Sequence, residues 1–405
     1  MKRTAVFILL LLCSPLIWAQ TKTDSCTLEI SLLTCAPGTD LYSIFGHTAI
    51  RVQDTRRGMD IVYNYGTFDD TDPLFYVNFT NGIMNYSLSA EPMDSFMQEY
   101  QYEHRNVVAQ ILNLNCPEKL RLYESLRKNT LDQNRIYQYH FHTDNCTTRA
   151  ARILEDNTDS PLVYKNILPA GGVHPADLSF RDMIHEYLDK QQDRWSEFGI
   201  DLFLGSKLDQ KVTNTEAIHF LPDYLYRGMD GAQEGRKAMV FQRMDVIRFA
   251  ENKTSRQWFS PFLVFMLLLL SVVVVYLNQN KSGFQTGLLI FDITFFSLLG
   301  LIGALMAYLW LGRVDDVCRS NMNILWALPT HLIIVWFMRK KAAWIKYYFL
   351  ATAFLALVLA IGYPWWTQRM NPAVLPLLGI IIFRSVCLYQ KPTHDEKHLV
   401  SRQAA

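Results

Sequence analysis

From Trp258 onward the chain is almost wholly apolar, and no other feature limits its possible folds as strongly. Five apolar stretches follow one another, at about 258–277, 285–311, 323–338, 347–363 and 373–389. A helix needs about 20 apolar residues to cross a hydrocarbon core of ~30 Å. Four stretches come near that length, and the third, with 16 residues, is marginal. The sequence therefore predicts an all-α membrane domain of five transmembrane helices over 258–389. Charge sets its orientation. Arg339, Lys340, Lys341 and Lys346 lie in one connection, Lys281 in another, and Lys391, Lys397 and Arg402 in the tail 390–405. The connections at 312–322 and 364–372 have no such excess, so the basic set is expected in the cytoplasm. Everything before residue 258 then lies outside, with the C-terminus inside. Asp292, Thr294, His331 and Arg384 are the polar residues within the spans. Asp292 and Arg384 are expected to reach toward the cytoplasmic interface, and His331 to satisfy a carbonyl.

The N-terminus agrees with that orientation. Lys2 and Arg3 precede an apolar run from Ala5 to Leu12, Pro15 breaks it, and Ala19 is a suitable cleavage residue. This is the pattern of a secretory signal over 1–19. The predicted location is the inner membrane, multi-pass, with residues 20–257 in the periplasm. The net charge of +1 gives no reason to invoke nucleic acid. Of the seven cysteines, Cys26, Cys35, Cys116 and Cys146 fall in the exported part. If Cys146 stays free, the other three can form one disulfide, from Cys116 to Cys26 or Cys35. A free thiol outside the cytoplasm points to chemistry.

The exported part reads as α+β. Strands are expected at 26–34, 44–53, 60–68, 83–89 and 106–114, with helices at 92–104 and 117–131. A further strand carries Tyr137, Tyr139 and Phe141 into a helix from Thr147 to Asp156. The core is thus about 26–156. A helical extension follows over about 157–250, with helices at 179–192, 194–205 and 213–232. Trp195, Phe198, Leu202, Phe203 and Leu204 in the second of these are expected to pack on the exported domain, the alternative being a place at the membrane surface.

Chemistry concentrates at His140-Phe141-His142-Thr143-Asp144-Asn145-Cys146-Thr147-Thr148-Arg149. Asp144 and Asn145 are good helix caps, so Cys146 falls where the helix begins. There the dipole and unpaired backbone N–H groups favour a thiolate, and the same N–H groups can hold an oxyanion. A thiol nucleophile needs an imidazole to take its proton and a third group to orient the ring. His47, on the second strand, is the candidate base. If residues 54–57 close a hairpin, Asn64 falls on the same face as His47; Thr67 and Asp69 are alternatives. His140, His142 and Asp144 also resemble half of an H-x-H-x-D zinc site, but Asn145 stands where a further His is needed, so no metal is expected. They are assigned to the surroundings of the thiol, as are Asn145, Arg149 and Arg51.

The order G-H-T-A-I-R-V, then D-N-C-T-T-R, resembles the circularly permuted papain-like, NlpC-type superfamily, in which a strand His precedes a helix-start Cys. Lecithin-retinol acyltransferases share that order. A closer resemblance is to the Bacteroidetes Lnb family. It rests on F-G-H-T-A-I-R-V, Y-N-Y-G-T-F, D-N-C-T-T-R, D-L-F-L-G-S-K-L-D at 201–209, F-L-P at 220–222 and N-M-N-I-L-W-A-L-P at 321–329. The resemblance implies a permuted papain-like fold and lipoprotein N-acylation without a cofactor. Cys146 would be the nucleophile and His47 the base. The acyl donor would be a membrane phospholipid, and the acceptors the α-amines of diacylglyceryl-cysteine lipoproteins. The rivals are a phospholipase, an NlpC-type wall peptidase and a non-enzymatic membrane sensor.

Overall fold

Strand β1 (Leu28–Cys35) is buried along nearly its whole length, because helices cover both faces of the sheet around it. It lies within a seven-stranded antiparallel sheet of order β10-β5-β1-β2-β3-β4-β6, built from β2 (His47–Asp54), β3 (Met59–Thr67), β4 (Asn85–Pro92), β5 (Val107–Leu112), β6 (Ile136–Gln138) and β10 (Val240–Ile247). Strands β7 (Leu162–Val163), β8 (Gln233–Glu234) and β9 (Lys237–Ala238) form a small second sheet. The structure is a computed structural model and describes residues 26–40, 42–69, 71–169, 178–250, 258–281, 283–338 and 343–390. The expected signal 1–19, Arg339, Lys340 and Lys341 of the basic connection, and the tail beyond 390 lie outside the described residues.

Helix α1 (Phe75–Asn81) links β3 to β4, α2 (Met93–Tyr102) links β4 to β5, and α3 (Cys116–Asn129) follows β5. Helix α4 (Cys146–Glu155) comes after β6. Leu122 and Leu126 of α3 and Ala150, Ile153 and Leu154 of α4 cover one face of the sheet, against Ile30, Leu32, Ile50 and Val52. Met93, Phe96 and Tyr100 of α2 cover the other, against Leu33, Ala49 and Val62. The hairpin expected at 54–58 is present, with Asp54 opposite Met59.

Three local readings are corrected. The strand expected to carry Tyr137 through Phe141 ends at Gln138, and 140–144 closes on itself through His140 N–H to Asp144 O and Asp144 N–H to His140 O. The alternation of three aromatic residues imitated a longer strand. The helix expected over 213–232 is two, α7 (Asn214–Phe220) and α8 (Pro222–Asp230), after α5 (Phe180–Gln191) and α6 (Arg194–Phe203). Pro222 supplies no donor and starts a new helix, with Leu221 extended before it. Cys26 and Cys35 are free thiols, so neither is cross-linked to Cys116.

The apolar third is a helical domain of α9 (Pro261–Leu277), α10 (Phe284–Gly312), α11 (His331–Phe337), α12 (Ala343–Gly362) and α13 (Val374–Gln390). Among the described residues two helical stretches suffice by length and composition to cross a membrane, 284–312 and 344–365; α9 and α13 are shorter. The expected third span holds only a 3₁₀ turn, Met322–Leu325, and the seven residues of α11, about 10 Å of helix. The turn before α11 presses on α10 at Gly303, where a Cβ would lie 1.6 Å from the Ala327 carbonyl oxygen. Asp292 and Arg384 do not reach for an interface. They pair with each other inside the bundle, at 2.7 and 2.8 Å, both fully buried. His331 bonds the Tyr348 hydroxyl at 2.8 Å. Helix α6 packs on this domain rather than on the sheet: Leu202 joins its core, flanked by Phe198 and Phe203.

Candidate active site

Two element starts meet at one end of the large sheet: His47 opens β2 and Cys146 opens α4. Asn145 fixes where α4 begins. Its Oδ1 accepts the Thr148 backbone N–H at 2.9 Å, and its Nδ2 donates to the carbonyls of Phe141 and Phe220 at 2.9 and 2.8 Å. The cap is therefore tied both to the turn before it and to α7, and the sulfur is held at the positive end of the helix.

The Cys146 thiol faces the His47 ring and the Thr48 backbone N–H, and its Sγ lies 3.9 Å from the Thr147 hydroxyl. Burial pushes the thiol up. The charge of His47 and these contacts outweigh it, so the Cys146 pKa lies below the ordinary thiol value. Burial pushes His47 down, but the facing thiolate and the contacts to Cys146 and Asn64 outweigh that and hold it above its ordinary value. Opposite shifts in two touching groups describe a thiolate–imidazolium pair. Both residues remain partly accessible.

The third group is Asn64. The register that sets Ile50 opposite Tyr63 continues to bring Asn64 onto the face of the sheet that carries His47. Asn64 Oδ1 lies 3.2 Å from His47 Nε2, and Asn64 Nδ2 donates to Glu91 Oε1 at 2.8 Å. An ionised carboxylate only accepts, so Glu91 fixes the amide with Nδ2 toward itself and Oδ1 toward the imidazole. Nε2 must then carry the proton, which leaves Nδ1 for the thiol. Glu91, on β4, is absent from the sequence reading. Its one local signal is a carboxylate inside a strand, where Glu is disfavoured. Thr67 and Asp69 do not take the orienting place: Thr67 bonds Ser89 at 2.7 Å and Asp69 bonds Thr71.

The wall beside the thiol is aromatic. Gly66, at a φ of +92°, is in the left-handed region where a side chain is strained. A Cβ there would stand 3.5 Å from Cys146 Cβ and 3.6 Å from the Tyr139 ring. Arg149 donates to Asp144 at 2.7 Å and lies 3.5 Å from the Tyr137 ring centroid. Arg51 is held by Asp60 in a bidentate pair at 2.7 and 2.5 Å and serves the hairpin, not the thiol.

The expected surroundings only partly assemble. Asp144 is taken by Arg149, while His142 meets the Phe180 ring and lies 4.0 Å from Asp316. His140, His142 and Asp144 therefore do not converge as metal ligands would. Among the described residues two other clusters could hold an ion: His185, Glu197 and Asp201, and Glu118, Asp159 and Glu234. A cationic side chain already occupies each, Arg181 at 3.0 Å from Asp201 and Lys237 at 2.6 Å from Glu234.

Residues 16–179 match the family model of the Lnb N-terminal periplasmic domain, and residues 252–395 match that of the Lnb transmembrane domain. No curated protein and no solved structure matches the chain.

Proposed function

Because the chain belongs to the Lnb family, with a periplasmic domain followed by a transmembrane domain, we propose that it is a thiol-dependent lipoprotein N-acyltransferase. The observation that carries this reading is the contact of Cys146, His47 and Asn64 in a domain anchored to membrane helices. Both substrates, a phospholipid and a diacylglyceryl-cysteine lipoprotein, live in that membrane.

In the first half-reaction the Cys146 thiolate attacks an ester carbonyl of the phospholipid and a C–S bond forms. The oxyanion faces the backbone N–H at the start of α4. Its collapse breaks the C–O bond, and the His47 imidazolium gives its proton to the departing lysophospholipid. In the second, the α-amine of the lipoprotein cysteine attacks the thioester. His47, now neutral, takes a proton from that amine, and Cys146 leaves as thiolate. Asn64, held by Glu91, keeps the ring turned for both transfers. Attack by amine rather than water requires a site that limits water, which the aromatic wall of Tyr137 and Tyr139 provides.

The same reading includes five crossings of the inner membrane with a cytoplasmic C-terminus. It draws support from the connections. Phe259 O accepts from Trp195, Val317 O from the Gly205 N–H, and Leu204 O from Gln368. The chain before α9, after α10 and between α12 and α13 thus touches the periplasmic domain. Helices α9 and α13 then run away from it and α10 and α12 toward it, which leaves one more passage for the expected third span, 323–338.

The test is mass spectrometry of lipoprotein N-termini in cells lacking their own N-acyltransferase. Wild-type chain restores N-acylation; Cys146→Ala and His47→Ala do not, although both accumulate in the membrane. N-acylation by Cys146→Ala would refute the mechanism. Lysophospholipid release without an acylated amine would make the protein a phospholipase, and cleaved wall peptides a peptidase.

A further inference from the structure

Helix α1 has the sequence F-Y-V-N-F-T-N and no buried residue. Tyr76 is 79 % exposed, Leu74 58 % and Val77 55 %. A helix that leaves Tyr76, Val77 and Phe79 exposed, with Leu74 just before it, is unfavourable in water, and contiguous patches of this kind mark a surface made for another apolar phase. Its surroundings identify that phase. The Arg313 guanidinium donates to the carbonyls of Phe79 and Thr80 at 2.8 and 3.0 Å, the Val314 N–H donates to Asn81 O at 3.0 Å, and the Tyr308 hydroxyl donates to the Asn81 side chain. Helix α1 is therefore clamped to the end of α10 nearest the periplasmic domain. Exposed Leu311 stands at the same end of α10, and exposed Trp258, Phe259 and Trp365 stand at the corresponding ends of α9 and α12, as aromatic belts do at a membrane interface.

From α1 a run of aromatic rings leads to the thiol. Phe75 stacks on Phe68 at 5.3 Å, Phe68 meets Tyr86 at 5.1 Å, and Tyr86 meets Tyr139 at 4.6 Å. Tyr139 borders Gly66 beside Cys146. A cleft of about 210 Å³ opens beside this run between α1 and β4, lined by Phe68, Phe75, Phe79, Ile83, Met84 and Tyr86 and, on its polar side, by two aspartates and two asparagines. We propose that α1 sits in the outer leaflet and that the aromatic cleft behind it receives one acyl chain of a membrane phospholipid, leading its ester toward Cys146. This rests on the acyl-transfer reading for its purpose, but not for its geometry.

The full chain carrying Cys146→Ala is placed in vesicles of phosphatidylethanolamine and phosphatidylglycerol. A fraction of the phosphatidylethanolamine bears a photoreactive diazirine in one acyl chain. After irradiation, adducts are expected on residues 68–86. Adducts confined to the membrane helices, with none on 68–86, would overturn the proposal whatever the protein's activity. A second arm uses Val77→Asp, a substitution at an exposed position. Acylation of Cys146 from vesicle phospholipid should fall by about tenfold, while labelling by a water-soluble short-chain acyl ester stays at the wild-type rate. An unchanged vesicle rate would also overturn the proposal. Failure of the wild-type chain to accept acyl from either donor would instead strike the functional reading and leave the photolabelling to decide the cleft.

Discussion

The proposed thiolate at Cys146, held by His47, would have a signature in its own reactivity. The thiolate persists above the lowered Cys146 pKa, and the imidazolium persists below the raised His47 pKa. Each charge favours the other. Alkylation of Cys146, followed by peptide mapping across pH, should therefore stay fast below pH ~8.5, where an ordinary thiol titrates. In His47→Ala the profile should move up to that range. A wild-type profile already rising near ~8.5 would mean that no pair forms. Cys35, opposite His47 in the sheet, is an internal control: burial pushes its thiol up to about 12, so it should stay unmodified. Glu91→Ala removes the acceptor that fixes the Asn64 amide. It should lower kcat by roughly 10- to 100-fold with little change in KM, and an unchanged kcat would reduce Glu91 to a structural role. Cys146, His47 and Asn64 could be read from sequence because each depends on a local rule: a cap before a helix, a short hairpin and a two-residue alternation. Glu91 could not, because reaching it needs the pairing of β3 with β4 across the long connection that holds α1. His140 and His142 were misplaced on a strand that ends before them.

Elements followed the strength of their local signals. The central strand β1, the β2–β3 hairpin and the capped helix α3 are where the pattern put them, since the apolar run, the turn and the Asn115–Glu118 capping box each act within a few residues. Strand β10 gave no such signal. It is an edge strand, largely exposed, and becomes a strand only by pairing with β5 more than a hundred residues away. In the helical domain the spacing of polar residues showed that Asp292 and Arg384 are unusual, but not that they meet. Their contact joins α10 to α13, with both side chains fully buried. Removing one partner of such a pair leaves an uncompensated charge and costs about 3–5 kcal/mol. Asp292→Ala should thus abolish accumulation of the full-length chain in membranes, whereas Asp292→Leu combined with Arg384→Met should recover much of it. Immunoblots of membrane fractions decide between these outcomes; equal loss in the double variant would show that the pair does more than neutralise itself.

At the scale of the whole molecule the question is what makes the periplasmic and membrane domains act as one body, since in the proposed reaction a donor lipid in the membrane meets a thiol outside it. The answer centres on Asp201 of α6. Its carboxylate accepts from Arg181 at 3.0 Å, from His185 at 2.8 Å and from Asn371 at 3.0 Å, and its carbonyl accepts from Asn323 at 2.9 Å. Arg181 and His185 belong to the periplasmic α5; Asn323 and Asn371 belong to two connections of the membrane domain. One buried carboxylate therefore ties three separate pieces of chain together, and the sequence showed only a D-L-F-L-G-S-K-L-D segment with no visible partner. Burial pushes the Asp201 pKa up, but His185, Arg181 and Asn371 outweigh it and hold the carboxyl below its ordinary value. A carboxyl lowered in the folded state contributes stability that is complete above its unfolded pKa of about 3.9 and is lost as pH falls through the lower folded value. The thermal midpoint of the full chain in detergent should therefore keep the full Asp201 contribution between neutral pH and about pH 4, and should lose it progressively below that. Asp201→Ala should lower the neutral-pH midpoint, with a cost near the bottom of the range of about 3–5 kcal/mol for a broken buried pair, because Arg181 keeps Asp209 at 2.8 Å. It should also flatten the acid limb, since the group that titrates there is gone. If the variant kept both the wild-type midpoint and the wild-type acid limb, the clasp around α6 would not be what joins the two domains.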